Sequence, residues 1–123
     1  MNPQFSHLFV AVLDLHATHR FYVQLLGLEV LVGGPERTYM RLGGGGGFHI
    51  GFEVVAGDAV PTDGIQIRVR VDDVDAVYRR LLEAGVAMDG PPADQVWGAR
   101  HLWLRDPTGY RISVFSTDGP NLP

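Results

Sequence analysis

The chain has 123 residues, 46% of them hydrophobic, a formal net charge of −4 and a sequence pI of about 5.6. This is enough apolar material for the core of one domain, and the acidic balance argues against a nucleic-acid surface. Cysteine is absent, which excludes disulfides, thiolate metal sites and cysteine nucleophiles. We see neither a secretion signal nor an apolar run near the roughly 18 residues of a membrane span, so we expect a cytoplasmic protein.

The first half of the chain predicts a strand, a helix and three more strands. Residues 5–13 alternate between apolar and other side chains, as a strand with two different faces does. Asp14 is predicted to cap a helix that runs to about Leu26, and Gly27 is predicted to end it. Further strands are predicted over residues 28–32, 38–42 and 48–55.

The same pattern restarts in the second half. A strand over 65–71 precedes Asp73, the predicted cap of a second helix that ends at Gly85. The apolar stripe of that helix is Val74, Val77, Leu81 and Leu82. A short strand is predicted over 86–88, and residues 94–115 predict a hairpin with a tight turn. Gln66 stands 59 residues after His7, and Asp73 stands 59 residues after Asp14, which indicates an internal duplication.

This duplication predicts a single α+β domain covering residues 1–123. It consists of two βαβββ modules whose mixed, mostly antiparallel sheets curl around a central cleft, with one helix packed outside each sheet. Module 1 spans about residues 5–55, module 2 spans about 65–116, a linker covers 56–64 and a short C-terminal tail covers 117–123.

One face of each predicted sheet carries polar and aromatic side chains where the other face is aliphatic. These side chains are His7, Phe9, His49, Glu53, Gln66, Arg68, Arg70, His101, Trp103, Arg111 and Ser113. Aromatic residues in an exposed strand row mark a contact surface, so the pattern predicts that these faces line the cleft. The alternative is an open antiparallel sheet whose second face meets solvent.

Three segments resemble the vicinal oxygen chelate superfamily, which includes glyoxalase, extradiol dioxygenases, fosfomycin resistance enzymes and bleomycin resistance proteins. The segments are HLFVAVLDLHATHRFYVQLLGLEV, RVRVDDVDAVYRRLLEAGV and WGARHLWLRDPTGY. The last is most similar to bleomycin-resistance-like members. Because one fold carries many functions, the resemblance is specific for the fold and weak for the activity.

The resemblance implies four metal-ligand positions for the metalloenzymes of this superfamily. Here they are His7, Gly51, Gln66 and Ser113. Only His7 is a competent ligand, whereas a catalytic metal needs about three His or carboxylate ligands, so we expect no metal and no cofactor. The alternative is one divalent ion (Zn, Fe, Mn or Ni) in a rearranged site, made of His7 with His49 or His101 and Glu53.

The favoured function is a metal-independent binding protein that sequesters an aromatic or anionic metabolite or antibiotic in the cleft. The predicted ligand-binding residues are His7, Phe9, His49, Gln66, Arg68, Trp97, His101, Trp103, Arg111 and Ser113, and no catalytic residue is identified. Arg68, Arg70 and Arg111 either bind the ligand or pair with Glu53, Asp72 or Asp94.

The rival function is a metal-dependent lyase, isomerase or extradiol-type dioxygenase, in which the ion chelates two substrate oxygens. Family members of this length commonly form homodimers, so the resemblance also implies a homodimer. A small-molecule ligand is the other expected partner, with neither nucleic acid nor membrane.

Overall fold

The computed structural model describes residues 1–96 and 98–117. The chain divides into two compact units, unit 1 (Met1–Pro61) and unit 2 (Thr62–Pro123). Each unit has a four-stranded mixed sheet and one helical segment between its first two strands, which confirms the predicted α+β class and βαβββ repeat. Trp97 and the predicted tail after Thr117 lie outside the described residues. No helix in the described part of the chain is long and apolar enough to cross a membrane.

The sheet of unit 1 has the order β1-β4-β3-β2. Its strands are β1 (Leu8–Val12), β2 (Glu29–Gly33), β3 (Tyr39–Gly43) and β4 (His49–Val54). β1 runs parallel to β4, and the other pairs are antiparallel. Val10, Phe52 and Met40 lie side by side across three strands and are buried, and Tyr22 of the helical segment packs on Phe52 with ring centroids 4.8 Å apart. The aliphatic face of this sheet therefore lies under the helical segment.

The predicted first helix is present from Leu15 to Leu25, but it is not α-helical throughout. Asp14 caps it as expected, since its carboxylate accepts the Ala17 N–H at 3.1 Å. However, only α1 (Leu15–His19) is α-helical, and Arg20–Leu25 continues as a π-helix. Phe21 and Tyr22, near the start of the π-helix, are both buried.

Unit 2 repeats the arrangement with the sheet order β5-β8-β7-β6. Its elements are β5 (Gln66–Arg70), α2 (Val74–Glu83), β6 (Ala93–Asp94), β7 (Ala99–Arg105) and β8 (Arg111–Thr117). β5 is parallel to β8, and the hairpin β7–β8 is antiparallel as predicted. The helix contacts β7 and β8 and buries Val74, Val77 and Leu81.

Two details of the prediction for unit 2 are wrong. The expected strand over 86–88 is reduced to a single bridge between Met88 and Leu104, and the residues that pair with β7 are Ala93 and Asp94 of β6. Leu82 was predicted to lie in the apolar stripe of α2, but it is 57% exposed. A helix packed on a sheet buries only one stripe of side chains. In α2 this stripe consists of Val74, Val77 and Leu81, and Leu82 lies outside it.

The turn between β7 and β8 is held by one buried carboxylate. Oδ1 of Asp106 accepts the backbone N–H groups of Thr108, Gly109 and Tyr110 at 3.0, 2.8 and 2.9 Å. The Gly109 N–H also donates to the Asp106 carbonyl at 3.0 Å, and Gly109 has a φ of 115°, which favours glycine. This turn fixes the register of the hairpin, and therefore which side chains of β7 and β8 lie side by side.

Replacing the cap residue Asp73 by alanine is expected to lower the free energy of unfolding by about 1 kcal/mol. The Asp73 carboxylate accepts the N–H groups of Asp75 and Ala76 at 3.0 and 3.2 Å, and alanine leaves both donors without this partner. Urea unfolding followed by far-UV circular dichroism measures the change. Asp72→Ala, at the exposed neighbouring position, is the matched control and is expected to change the midpoint little. Equal effects of the two substitutions would contradict the capping role.

Candidate functional site

The candidate site in unit 2 is the sheet face opposite α2, and its centre is a buried histidine–serine pair. Strand register places Arg68 beside Ser113, Ser113 beside Trp103, and His101 beside Phe115. His101 and Ser113 are 2% and 0% exposed, and Ser113 Oγ lies 2.7 Å from His101 Nδ1. We call Arg68, His101, Trp103, Arg111, Ser113 and Phe115 the unit 2 face.

The neighbours of the His101 ring define its tautomer. Arg68 Nη2 lies 3.4 Å from His101 Nε2, and a guanidinium can only donate, so Nε2 accepts. The ring proton then belongs on Nδ1, which donates to Ser113 Oγ. In this arrangement His101 cannot accept the proton of the Ser113 hydroxyl, so the pair does not form an activated serine nucleophile. It is instead a fixed, neutral polar group on the sheet.

Burial lowers the pKa of the His101 imidazole below its ordinary value of 6.5, and the charge of Arg68 lowers the pKa further. The folded protein therefore binds fewer protons at this group than the unfolded chain does, and stability is lost as pH falls through the unfolded pKa toward the folded pKa.

This shift predicts that the free energy of unfolding decreases between pH 7 and pH 5 because of His101. Urea unfolding at the two pH values measures the decrease. The variant His101→Gln lacks the titrating ring, and we expect its stability to decrease less over the same interval. Equal decreases in the two proteins would contradict the assignment to His101.

Aromatic rings and guanidinium groups cover the rest of the unit 2 face. His101 stacks on Phe115 with centroids 5.0 Å apart and planes at 14°, and it contacts Trp103 at 5.6 Å. The guanidinium of Arg68 lies 5.6 Å from the Phe115 ring centroid, and that of Arg111 lies 4.5 Å from the Trp103 ring centroid. Phe115 is buried and Trp103 is half-buried, so Trp103 provides the accessible apolar surface next to the positive charges. This combination suits aromatic and anionic groups.

Among the described residues of unit 2, no ion pair joins Arg68, Arg70 or Arg111 to Asp72 or Asp94. Asp94 pairs with Arg100 at 3.1 Å, and Arg100 also holds Asp75 of α2 through two 3.0 Å contacts. These hydrogen bonds from Arg100 lower the pKa of Asp75. The acid nearest to Arg111 is Asp89, with 3.7 Å between Nη1 and Oδ2, which exceeds hydrogen-bond length. Arg100 therefore has a structural role, because it joins α2 to β6.

In unit 1 the corresponding sheet face carries an aromatic cluster. The rings of His7 and Phe9 meet edge to face at 5.2 Å, and Phe9 lies 6.0 Å from Tyr39. The Phe9 ring also covers Gly51, where an added Cβ atom would lie only 2.7–2.9 Å from ring atoms. His49 pairs with Gly43 further along the sheet. The phenylalanine ring thus takes the space that a side chain at position 51 would occupy.

The structure brings five predicted site residues together on one face in unit 2: Arg68, His101, Trp103, Arg111 and Ser113. Gln66 lies beside Arg111 in the next row. Trp97 is outside the described residues. Sequence reasoning missed Phe115, although alternation places it on this face. In unit 1, Arg41 of β3 has a buried Nε without a hydrogen-bond partner in the described residues.

Three of the four metal-ligand positions implied by the resemblance are occupied by poor donors. Gln66 and Ser113 lie on neighbouring strands of unit 2, and Gly51 lies beneath the Phe9 ring in unit 1. Within each unit, the described residues contain no group of three or more His, Asp or Glu side chains that would hold a metal ion.

Two βαβββ units, each with a polar and aromatic sheet face, define the class of fold. The model of the Glyoxalase/Bleomycin resistance protein/Dioxygenase superfamily matches residues 4–114. The chain belongs to this superfamily.

Solved structures with a similar fold differ in what they are named for. TnmS3, an antibiotic binding protein from Streptomyces sp. CB03234, is 28% identical with a TM-score of 0.74, and the alignment covers 96% of this chain and 99% of that one. A lactoylglutathione lyase from Agrobacterium tumefaciens is 19% identical with a TM-score of 0.67, and the alignment covers 94% and 96% of the two chains. The likeness to the lyase shows the fold alone.

One curated protein matches a shorter stretch. The uncharacterized protein Mb0911c of Mycobacterium bovis is 38% identical over 50 residues, which is 41% of this chain and 33% of that protein. The match thus spans about a third of the length of this curated relative.

Proposed function

We propose that this protein is a metal-independent binding protein that sequesters an aromatic or anionic small molecule, a metabolite or an antibiotic. The observation that carries the proposal is the unit 2 face, where the Trp103 and Phe115 rings each lie beneath an arginine guanidinium. The likeness to an antibiotic binding protein over almost the whole chain supports the same function.

Metal independence is supported by the state of the implied ligand positions. A carboxylate at position 51 would collide with the Phe9 ring, and the Ser113 hydroxyl is already hydrogen-bonded to His101. Glutamine and serine are weak neutral ligands beside the His and carboxylate groups that catalytic metals require. His7 would then be left as a single strong donor, which does not hold an ion.

The charge on the unit 2 face indicates the polarity of the ligand. Arg68 and Arg111 both face it, and a guanidinium binds a carboxylate through two parallel hydrogen bonds. A cationic ligand would be repelled by the same groups. We therefore infer that the ligand is an aromatic molecule that is neutral or negatively charged.

Fluorescence of Trp103 tests the proposal. The chain has two tryptophans, so the variant Trp97→Phe leaves Trp103 as the only indole. A panel of aromatic natural products containing acids, neutral compounds and amines is titrated against this variant. We expect saturable quenching or a spectral shift with acids or neutral compounds. Saturable responses to the amines alone, or to no compound, would contradict the proposal.

We also propose that the protein is a homodimer, as the resemblance implies. Light scattering coupled to size-exclusion chromatography measures the mass in solution, with twice the 13.5 kDa of the chain expected. A mass of one chain at all concentrations would contradict this proposal and leave the binding function intact.

A further inference from the structure

A polar pocket of about 390 Å³ lies at the turn end of the unit 2 sheet. Its polar lining includes Thr62, Asp63, Gln66, Arg105 and Arg111. The volume is within the range of small-molecule sites, which is about 300–1,000 Å³. The pocket lies entirely within unit 2.

Two positive charges are placed side by side in this pocket. Arg105 of β7 and Arg111 of β8 are directly paired in the strand register, and Gln66 of β5 is the next neighbour across the sheet. Like charges at directly opposed positions destabilise a sheet unless a counter-charge lies between them. The acid lining the pocket is Asp63, and Asp89 approaches Arg111 at 3.7 Å.

Most of the donors of these two arginines are available. A guanidinium has five N–H donors. Among the described residues, Arg105 donates one hydrogen bond, from Nη1 to the Gly109 carbonyl at 3.1 Å, which turns its head toward the hairpin turn. Arg111 lies over the Trp103 ring, and its 3.7 Å contact with Asp89 is too long for a hydrogen bond. Both heads are therefore held in place with several N–H groups unused.

We propose that this pocket binds the carboxylate of an aromatic acid, with Arg105 and Arg111 as the charged donors, Gln66 as a neutral donor and Trp103 as the surface for the ring. Arg111 connects the charged pocket with the ring surface, since its guanidinium both lines the pocket and contacts the Trp103 indole. Trp103 and Arg105 are two residues apart on one strand, about 6.6 Å, so one small molecule reaches both. This inference rests on the proposed binding function and narrows its ligand to an aromatic carboxylic acid.

The test compares benzoate with benzamide, which has the same ring and no charge. Arginine Nε–H and indole N–H signals of the ¹⁵N-labelled full chain are followed by NMR during both titrations. We expect benzoate to shift the signals of Arg105, Arg111 and Trp103 saturably, and benzamide to bind at least about tenfold more weakly.

Two variants locate the charge effect. Arg105→Gln is expected to weaken benzoate binding about tenfold and to leave benzamide binding unchanged. Arg79→Gln, on the exposed side of α2, removes the same charge away from the pocket and is expected to change neither affinity.

Three outcomes would contradict the proposal that this pocket binds a carboxylate. If benzamide and benzoate bind with equal affinity and both shift the Trp103 signal, the result supports ligand binding on the unit 2 face. It contradicts a carboxylate site in the pocket. If Arg79→Gln weakens benzoate binding as much as Arg105→Gln does, the loss of affinity comes from the change in net charge alone. If benzoate shifts none of the three residues, the pocket is not an acid site, while the fluorescence panel decides the proposed function separately.

Discussion

Replacing Asp106 by alanine is expected to lower the free energy of unfolding by about 3 kcal/mol, because one buried carboxylate accepts three backbone N–H groups of the β7–β8 turn. Asp106 is 5% exposed, and the Tyr110 residue whose N–H it accepts is 2% exposed. Water cannot fully replace the lost acceptor there. Urea unfolding gives the change in stability, and hydrogen exchange of β7 and β8 amides shows whether the hairpin opens first.

The matched variant for this turn is Asp106→Asn. Its side-chain oxygen retains an acceptor at the same place without the charge, so we expect it to lose only about 1 kcal/mol. Pro107→Ala, at the exposed position next in the turn, controls for general changes in the loop. A loss below about 1 kcal/mol in Asp106→Ala would show that the turn does not depend on this carboxylate.

Replacing Trp103 by alanine is expected to lower the affinity for an aromatic ligand about a hundredfold. The ring supplies stacking worth about 0.5–1.5 kcal/mol and apolar area worth about 1.5–3 kcal/mol, and about 1.4 kcal/mol corresponds to a factor of ten. Isothermal titration calorimetry measures the affinity, since the variant lacks the reporting indole. The ligand is the compound with the strongest response in the fluorescence panel.

Two other substitutions serve as controls for this prediction. Trp103→Phe keeps a flat ring at the same position and is expected to lose much less affinity than alanine. Leu82→Ala removes an exposed apolar side chain from α2, away from the unit 2 face, and is expected to change nothing. An unchanged affinity in Trp103→Ala would remove this residue from the site.

The sheets were predictable from sequence because alternation at period two and turn residues both mark them. The hairpin around Asp106 combines the two signals, and it lies where expected. The helical segment of unit 1 was less predictable. Its Asp14 cap is visible in the sequence, but no pattern in the sequence marks the change from α-helix to π-helix at Arg20. β6 is two residues long and carries no periodic signal.

For the candidate site, the sequence indicates which face a side chain occupies but not its depth or its partners. Alternation places Phe9, His101 and Ser113 on the polar faces, yet Phe9 is 46% exposed while His101 and Ser113 are buried. The 2.7 Å contact between His101 and Ser113 is diagonal across β7 and β8, and alternation alone does not indicate it. Phe115 was missed because a phenylalanine at the end of a strand is as typical of a core as of a binding surface.

The central claim is that the protein binds its ligand without a metal. The most direct test titrates the compound with the strongest response in the fluorescence panel into the Trp97→Phe protein under two conditions. One sample contains EDTA, and the other is loaded in turn with Zn, Fe, Mn and Ni. The account predicts the same dissociation constant in every sample, because the side chains of the unit 2 face bind the ligand without an ion. Binding that EDTA abolishes and one of these ions restores would contradict it.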